Sequence, residues 1–423
     1  MPTIAAHTLG CKLNFAETSH ILRQFAGAGY EVVDFRQSSD LYVINTCTVT
    51  AVAEKKCRNA IRQAVAQNPQ ALVAVIGCYA QNEAQQIAAI PGVGIVLGNN
   101  DKHRLLDIVE SHLHPPLPTG EINDFQLAYS AGDRTRTFFK IQDGCDYFCS
   151  YCAIPFARGR SRCASIEATL AMAREIAQAG AKEVVLTGVN TGTFGLHTGE
   201  SFLDLLRGLD AIEGIERYRI SSIEPNLLTD DIIRFVKESA HFAHHFHIPL
   251  QAGSDTVLQL MRRRYDTSFY RHKIESIKGL MPDCCVAADL MVGFYGEGER
   301  EFEEAYRFVE SLPLSYLHVF TYSERPNTAA LKMEGKVTVH ERHQRCSRML
   351  ELSEQKKRYF YQQHIGTEAT VLWAGDVKKG FMHGFTDNYI RVRRPHDAAL
   401  VNTLQKVTLQ AVNSKEDVFD IVL

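Results

Sequence analysis

Three cysteines, Cys145, Cys149 and Cys152, fall within eight residues in the order C-x3-C-x2-C. They follow a β-like run, Phe138 to Gln142, that breaks at Gly144. Soft thiolates packed this closely along a chain are the donor set of an iron–sulfur cluster. Four would close the coordination of a four-iron cluster. Three leave one iron open to another ligand, as a catalytic metal site keeps a free position. A structural zinc knot needs a fourth ligand in local register, and none stands beside these three. The spacing therefore predicts a reactive cluster just past the end of a strand.

A second set of cysteines has no local spacing at all. Residues 1–111 alternate strand and helix patterns: Ile4 to Leu9, Leu41 to Ile44, Leu72 to Ile76 and Val93 to Leu97 read as strands, with helices over Phe15 to Ala28 and Val52 to Ala66. Cys11, Cys47 and Cys78, 36 and 31 positions apart, each stand just past one of those strands. A parallel sheet gathers its strand ends on one edge, where α/β folds place ligands. The expectation is a Rossmann-like domain with a second three-cysteine cluster on that edge. Three unrelated buried thiols are the alternative. Cys57, Cys163, Cys284, Cys285 and Cys346 read as small buried hydrophobes.

Residues 112–136 include His114-Pro-Pro-Leu-Pro118 and carry no periodicity, so they read as a linker. Residues 137–364 hold six strand-then-helix units, which imply a parallel sheet and a partial (β/α)6 barrel with its site at the strand C-terminal ends. The expected strands are Phe138–Gln142, Glu183–Leu186, Tyr218–Ile223, His245–Leu250, Val286–Val292 and Tyr316–Thr321, closed by a charged helix from about His340 to Gln363. In residues 365–423 the texture changes to short β-like runs at Thr370–Trp373, Tyr389–Arg393, Val407–Ala411 and Val418–Val422, which predict a small antiparallel β-barrel.

Composition narrows the setting. The chain has 423 residues, 45% hydrophobic and 22% charged, which suits a soluble protein of two to four domains. Eleven cysteines behind a start that lacks a signal peptide's apolar core point to a reducing cytoplasm and to metal ligation over disulfides. No apolar run approaches the length of a membrane span. A net charge of −3 gives no general attraction to nucleic acid, so any RNA contact must come from local patches. Arg158, Arg160 and Arg162 after the cysteine loop, Arg262 to Arg264, and Lys378, Lys379, Arg391, Arg393 and Arg394 are the basic groups able to make phosphate contacts. Phe385 and Tyr389 are candidate base-stacking rings.

The loop, with aromatic Tyr151 before its last cysteine, resembles the radical S-adenosylmethionine superfamily. The string from Asp143 to Arg162 resembles its methylthiotransferase branch. The resemblance extends to Thr8–Thr18, Asn45–Val49, Gly77–Gln81 and, near the C-terminus, Gly384–Arg393, which is similar to the RNA-binding TRAM module. It implies two [4Fe-4S] clusters, on Cys11, Cys47 and Cys78 and on Cys145, Cys149 and Cys152. The first carries the sulfur. The second binds S-adenosylmethionine and cleaves it reductively to a 5′-deoxyadenosyl radical. It places cofactor contacts at Tyr151, Thr187, Gly188, Asn190, Gln251 and Gly293. Glu224, at the end of the third core strand, is either a further contact or an N-cap partner. Where the family usually has Pro and Thr, this chain has Tyr295 and Gly298, a change to the turn beside the adenine.

The implied activity is methylthiolation of tRNA, with N6-threonylcarbamoyladenosine at position 37 as target and a flavodoxin or ferredoxin as electron donor. Isopentenyladenosine-37 and an aspartate of ribosomal protein S12 are the alternative targets. A non-catalytic cluster carrier or scaffold is the reading from another class. The sulfur source is not indicated.

Overall fold

A computed structural model describes residues 1–423 except 114, 119, 133–134, 414–415 and 422–423. His114 of the expected linker and Val422 of the expected last strand lie outside the described residues.

The first unit is a five-stranded parallel sheet of β1 (Thr3–Thr8), β2 (Glu31–Val33), β3 (Leu41–Thr46), β4 (Leu72–Gly77) and β5 (Val93–Leu97), in the order β2-β1-β3-β4-β5. Every residue of β3 is buried, as a central strand covered on both faces must be. Helices α1 (Lys12–Gly27) and α2 (Ala51–Gln67) cross between strands, and α2 starts on Thr50, whose side chain accepts the Ala53 amide. Short β2 was not anticipated; its residues are largely exposed at the sheet edge.

The chain then adds β6 (Ala128–Tyr129), antiparallel, to the edge of the second unit. There β7 (Arg136–Lys140), β8 (Glu183–Thr187), β9 (Arg217–Ile220), β10 (His245–His247), β11 (Cys285–Val292) and β12 (Tyr316–Thr321) run parallel in sequence order. Isolated bridges Tyr218–Phe242 and Ser222–His247 join the β9 and β10 halves. Helices between the strands begin on Ser165, Ser201, Thr229 and Asp266, each accepting an amide of its own first turn. The helix Val339–Gln362, opened by a Thr338–Glu341 capping box, packs along β12.

Among the described residues the third unit has six strands, two more than expected. Phe381–Thr386 and Ala411–Asn413 are the additions, and Arg391–Pro395 pairs in parallel with Val418–Asp420. Its core is Trp373, fully buried, with Val371, Met382 and Val392.

Candidate active site

The Cys11–Cys47–Cys78 trio is assembled by sheet register. Strands β1, β3 and β4 are neighbours, with Thr8 opposite Asn45 and Thr46 opposite Gly77. The three cysteines therefore share one sheet edge. Gly10 has φ +108°, and a Cβ there would lie 2.9 Å from Cβ of Cys47, so glycine lets the two strand ends close up. Asn14 straps the edge: its Nδ2 donates to the carbonyls of Leu9 at 2.7 Å and Thr46 at 3.0 Å. Burial pushes the Cys47 thiol up to about 12 and raises that of Cys11.

The second trio is held by its own loop. Gln142 and Asp143 pair with Cys163 and Arg162 in a short antiparallel ribbon at the loop's base. The Cys145 amide donates to the Gly159 carbonyl at 3.0 Å, and the Cys152 amide to Cys149. Burial pushes Cys145 up to about 11 and Cys152 to about 12. Arg263 reaches in, donating to Cys149 Sγ at 3.2 Å and pairing with Glu224. Glu224 is thus Arg263's counter-ion and not an N-cap; Thr229 caps the helix that follows.

Between the trios lies a buried ionic network that the sequence did not disclose. Glu17 meets Lys102 at 2.6 Å, Lys140 at 2.8 Å and Arg158 at 3.2 Å, while Asp143 meets Arg158 and Lys140 at 2.9 Å. Arg158 also donates to Asn14 Oδ1 at 2.6 Å and to Cys78 Sγ at 3.1 Å. The expectation that Arg158 contacts phosphate is therefore corrected: its side chain is 1% exposed and joins the two cysteine units. Arg162 is corrected with it, since its guanidinium donates to the carbonyls of Asp124, Arg158 and Arg160. Within the network only Lys140 and Asp143 are close in sequence; Glu17, Lys102 and Arg158 come from elsewhere in the chain.

Both donor sets fit a thiolate-bound cluster. Lys102, Lys140 and Arg158 face the two carboxylates Glu17 and Asp143, so this buried network holds a surplus positive charge beside Cys78. An anionic sulfur centre balances it. The cofactor contacts fit in the same way. Asn190 has both side-chain polar atoms, and Gln251 its Oε1, buried without a partner. Such atoms cost about 1–3 kcal/mol each unless a ligand meets them. Gln251 also holds φ +64°, uncommon for a residue with a side chain. Thr187 and Gly188 line the central cavity, and Tyr151 is half-buried with its ring edge-on to Phe294. Gly293 donates its amide to Glu297 at 2.7 Å, so that N–H is committed to shaping the turn.

That cavity, about 700 Å³, lies where the three units meet. Phe138, Thr187, Arg219, His247, Asp289 and His318, one from each core strand, line it, so the sheet curves around it. Cys11 closes it from the first unit and Tyr389 from the third. Tyr389 and Phe385, the candidate base-stacking rings, are half-buried, stack on each other at 5.0 Å and lie under Arg136. Arg393 is paired with Asp420 and Glu416, and Arg394 is buried against Trp373. Arg391 is half-buried, while Arg160, Lys378 and Lys379 are exposed as phosphate contacts must be.

Residues 3–98 match the family described as Uncharacterized protein family UPF0004, and residues 139–309 match the Radical SAM superfamily. The threonylcarbamoyladenosine tRNA methylthiotransferase MtaB of Bacillus subtilis is 39% identical, covering 97% of this chain and 94% of its own. The protein of the same name from Aquifex aeolicus is 37% identical over 92% and 96%. A tRNA-2-methylthio-N(6)-dimethylallyladenosine synthase of Syntrophotalea carbinolica is 31% identical over 90% of each. Among solved structures, the radical S-adenosylmethionine methyltransferase TsrM of Kitasatospora setae shares the fold, with TM-score 0.58, 12% identity and 78% and 77% of the two chains covered. No helix among the described residues is long and apolar enough to cross a membrane. This chain belongs to the radical S-adenosylmethionine methylthiotransferase family, an enzyme class that works with S-adenosylmethionine and [4Fe-4S] chemistry.

Proposed function

We propose that this enzyme acts in the cytoplasm on tRNA, converting N6-threonylcarbamoyladenosine at position 37 to its 2-methylthio derivative. The reading is supported by two relatives of that name, each similar over more than nine-tenths of this chain. The observation that carries it is one cavity lined by both Cys11 and the Thr187–Gly188 turn. The target carbon has to stand between a sulfur held at the first trio and a cofactor held at the second, a positioning requirement.

In this reading Cys145, Cys149 and Cys152 hold one cluster and Cys11, Cys47 and Cys78 the other. When bound, the former supplies the electron that cleaves S-adenosylmethionine and the latter the sulfur to be transferred. Asn190 and Gln251 bind polar groups of the cofactor with their unmet atoms. Small Gly188 lets the backbone approach it, and Tyr151 flanks it. Arg263 fixes Cys149 and is itself fixed by Glu224. Residues 1–111 and 137–364 then carry one cluster each, joined by 112–136. Residues 365–423 act as a TRAM-like arm, with Lys378 and Lys379, helped by Arg160, on tRNA phosphates. A flavodoxin or ferredoxin delivers the electrons.

Mass spectrometry of tRNA nucleosides from a strain lacking the gene tests the assignment. The expected result is loss of the 2-methylthio group from threonylcarbamoyladenosine, restored by complementation. Loss from isopentenyladenosine with threonylcarbamoyladenosine untouched overturns it, and an unchanged tRNA profile with unmodified S12 moves the substrate to protein.

A further inference from the structure

Part of the cavity wall is used by neither cysteine trio nor by the cofactor contacts. Lys12, the residue after Cys11 and the first of α1, lines the cavity with no hydrogen bond or ion pair among the described residues. Arg136 on β7 makes one hydrogen bond, to Tyr389 Oη at 3.2 Å, and has no carboxylate partner among the described residues. His245 on β10 is 6% exposed, and neither ring nitrogen has a partner. Its ring centroid lies 4.8 Å from that of Tyr389.

Among the described residues no carboxylate lies within ion-pair distance of Lys12 or Arg136; Glu183, opposite Arg136 in the sheet, is held by Arg217 and Arg219. Asp289, the one carboxylate among the described lining residues, is bonded by His247 Nε2 at 2.9 Å. The third lining cation, Arg219, is engaged by Glu183 and by the carbonyl of Asp387. Tyr389 gauges the resulting field. Burial pushes its phenol up, yet Arg136, Lys12 and Arg219 together bring it below the ordinary tyrosine value. Two unpaired cations beside a buried imidazole with free nitrogens make a wall that favours an anion.

Adenine chemistry says which anion. C2 and C6, the carbon that bears N6, flank N1 on the Watson–Crick side of the ring, whereas the ribose and its phosphates hang from N9. A base presenting C2 toward Cys11 therefore brings its N6 substituent to the wall where Lys12 stands and carries its phosphates away from it. The threonylcarbamoyl group ends in a carboxylate; an isopentenyl group ends in methyls. Resting on the substrate reading above, we propose that Lys12, Arg136 and His245 form a carboxylate pocket for the acidic N6 substituent, and that this pocket selects it against apolar ones.

The test uses the reconstituted full-length holoenzyme and anticodon stem-loop RNAs at fixed salt. These carry threonylcarbamoyladenosine, the same group as its carboxamide, isopentenyladenosine or plain adenosine. Fluorescence anisotropy gives Kd, and product analysis gives kcat/KM. The acid is expected to bind about tenfold or more tighter than the amide, as charge-assisted hydrogen bonds allow. Lys12→Met and His245→Gln should pull that ratio toward one, and because acid and amide are compared within each variant any general loss of RNA affinity cancels. The Lys12 side chain makes no hydrogen bond or ion pair among the described residues, so its variant folds even if Arg136→Gln does not. Equal binding of acid and amide by the wild type overturns the pocket, and marks backbone phosphate as the anion, while leaving the substrate reading intact. An unchanged ratio in Lys12→Met also overturns it. Turnover of the isopentenyl RNA alone overturns the substrate reading and the pocket together.

Discussion

Cys145, Cys149 and Cys152 sit on one loop, whereas Cys11, Cys47 and Cys78 come from the ends of three neighbouring strands. The loop trio is braced by contacts within its own unit, from the Gly159 carbonyl to Arg263. The strand trio depends on sheet register, on the Asn14 strap, and on Arg158 arriving from the other unit. Each trio has one arginine donating to one thiol: Arg263 to Cys149 and Arg158 to Cys78. The first keeps a site in order. The second also sets where that site stands relative to its counterpart, because the guanidinium on Cys78 is the one that grips Asp143, two residues before Cys145. In this architecture a buried ionic network joins the two units that carry the cysteine trios.

The largest effect comes from removing single thiols. Cys145→Ala should abolish release of 5′-deoxyadenosine from S-adenosylmethionine. Cys47→Ala should keep that release and lose methylthio product. Each should lower bound iron by about half, if each trio holds a cluster of its own. Iron analysis with chromatography of the two products checks this. If Cys47→Ala also stops 5′-deoxyadenosine, the sites do not work separately and the comparison fails.

How much of this was legible follows from the same contrast. The loop trio could be read directly, because its spacing is local. The strand trio was readable at one remove: apolar runs such as Leu72–Gly77 place their ends on one edge, and a cysteine stood at each. Glu17, Lys102, Lys140 and Arg158 were not legible, since a buried ion pair leaves no periodic trace and its partners lie scattered along the chain. Arg158 was misread for that reason. A basic residue after a cluster loop resembles a phosphate contact until burial is known.

Next in size are the two arginines. Arg158→Met strips partners from buried Glu17 and Asp143 and should cost about 3–5 kcal/mol, the usual cost of breaking a buried pair. Arg263→Met leaves Glu224, which is 14% exposed and can draw on water, so its cost should be nearer 1–2 kcal/mol. Urea denaturation gives both numbers. The functional signatures should separate as well: Arg158→Met disturbs methylthio transfer before S-adenosylmethionine cleavage, and Arg263→Met does the reverse. Equal stability losses with identical product profiles would remove the distinction between a contact that spans units and one that does not.

The smallest effect is a pH dependence confined to the spanning network. Burial pushes the Glu17 carboxyl up, but Arg158, Lys102 and Lys140 outweigh it and hold the group below its ordinary value of 4.5. A depressed folded value means that the unfolded chain takes up the proton first as pH falls. The stability Glu17 contributes is therefore complete above about pH 4.5 and drains away below it. Glu17→Gln cannot titrate. Wild type should exceed the variant by a margin that shrinks as pH falls through about 4.5, at a slope approaching about 1.4 kcal/mol per pH unit, the value for one proton. Glu183, also depressed by buried cations, titrates in both proteins and cancels from the difference, whereas Asp143 shares Arg158 and Lys140 with Glu17 and titrates with it as one network. Denaturation curves of the metal-free full-length protein across this range give the margin directly. Parallel curves down to pH 3 would mean that Glu17 is not held by the network, and that the two units are placed by packing instead of by charge.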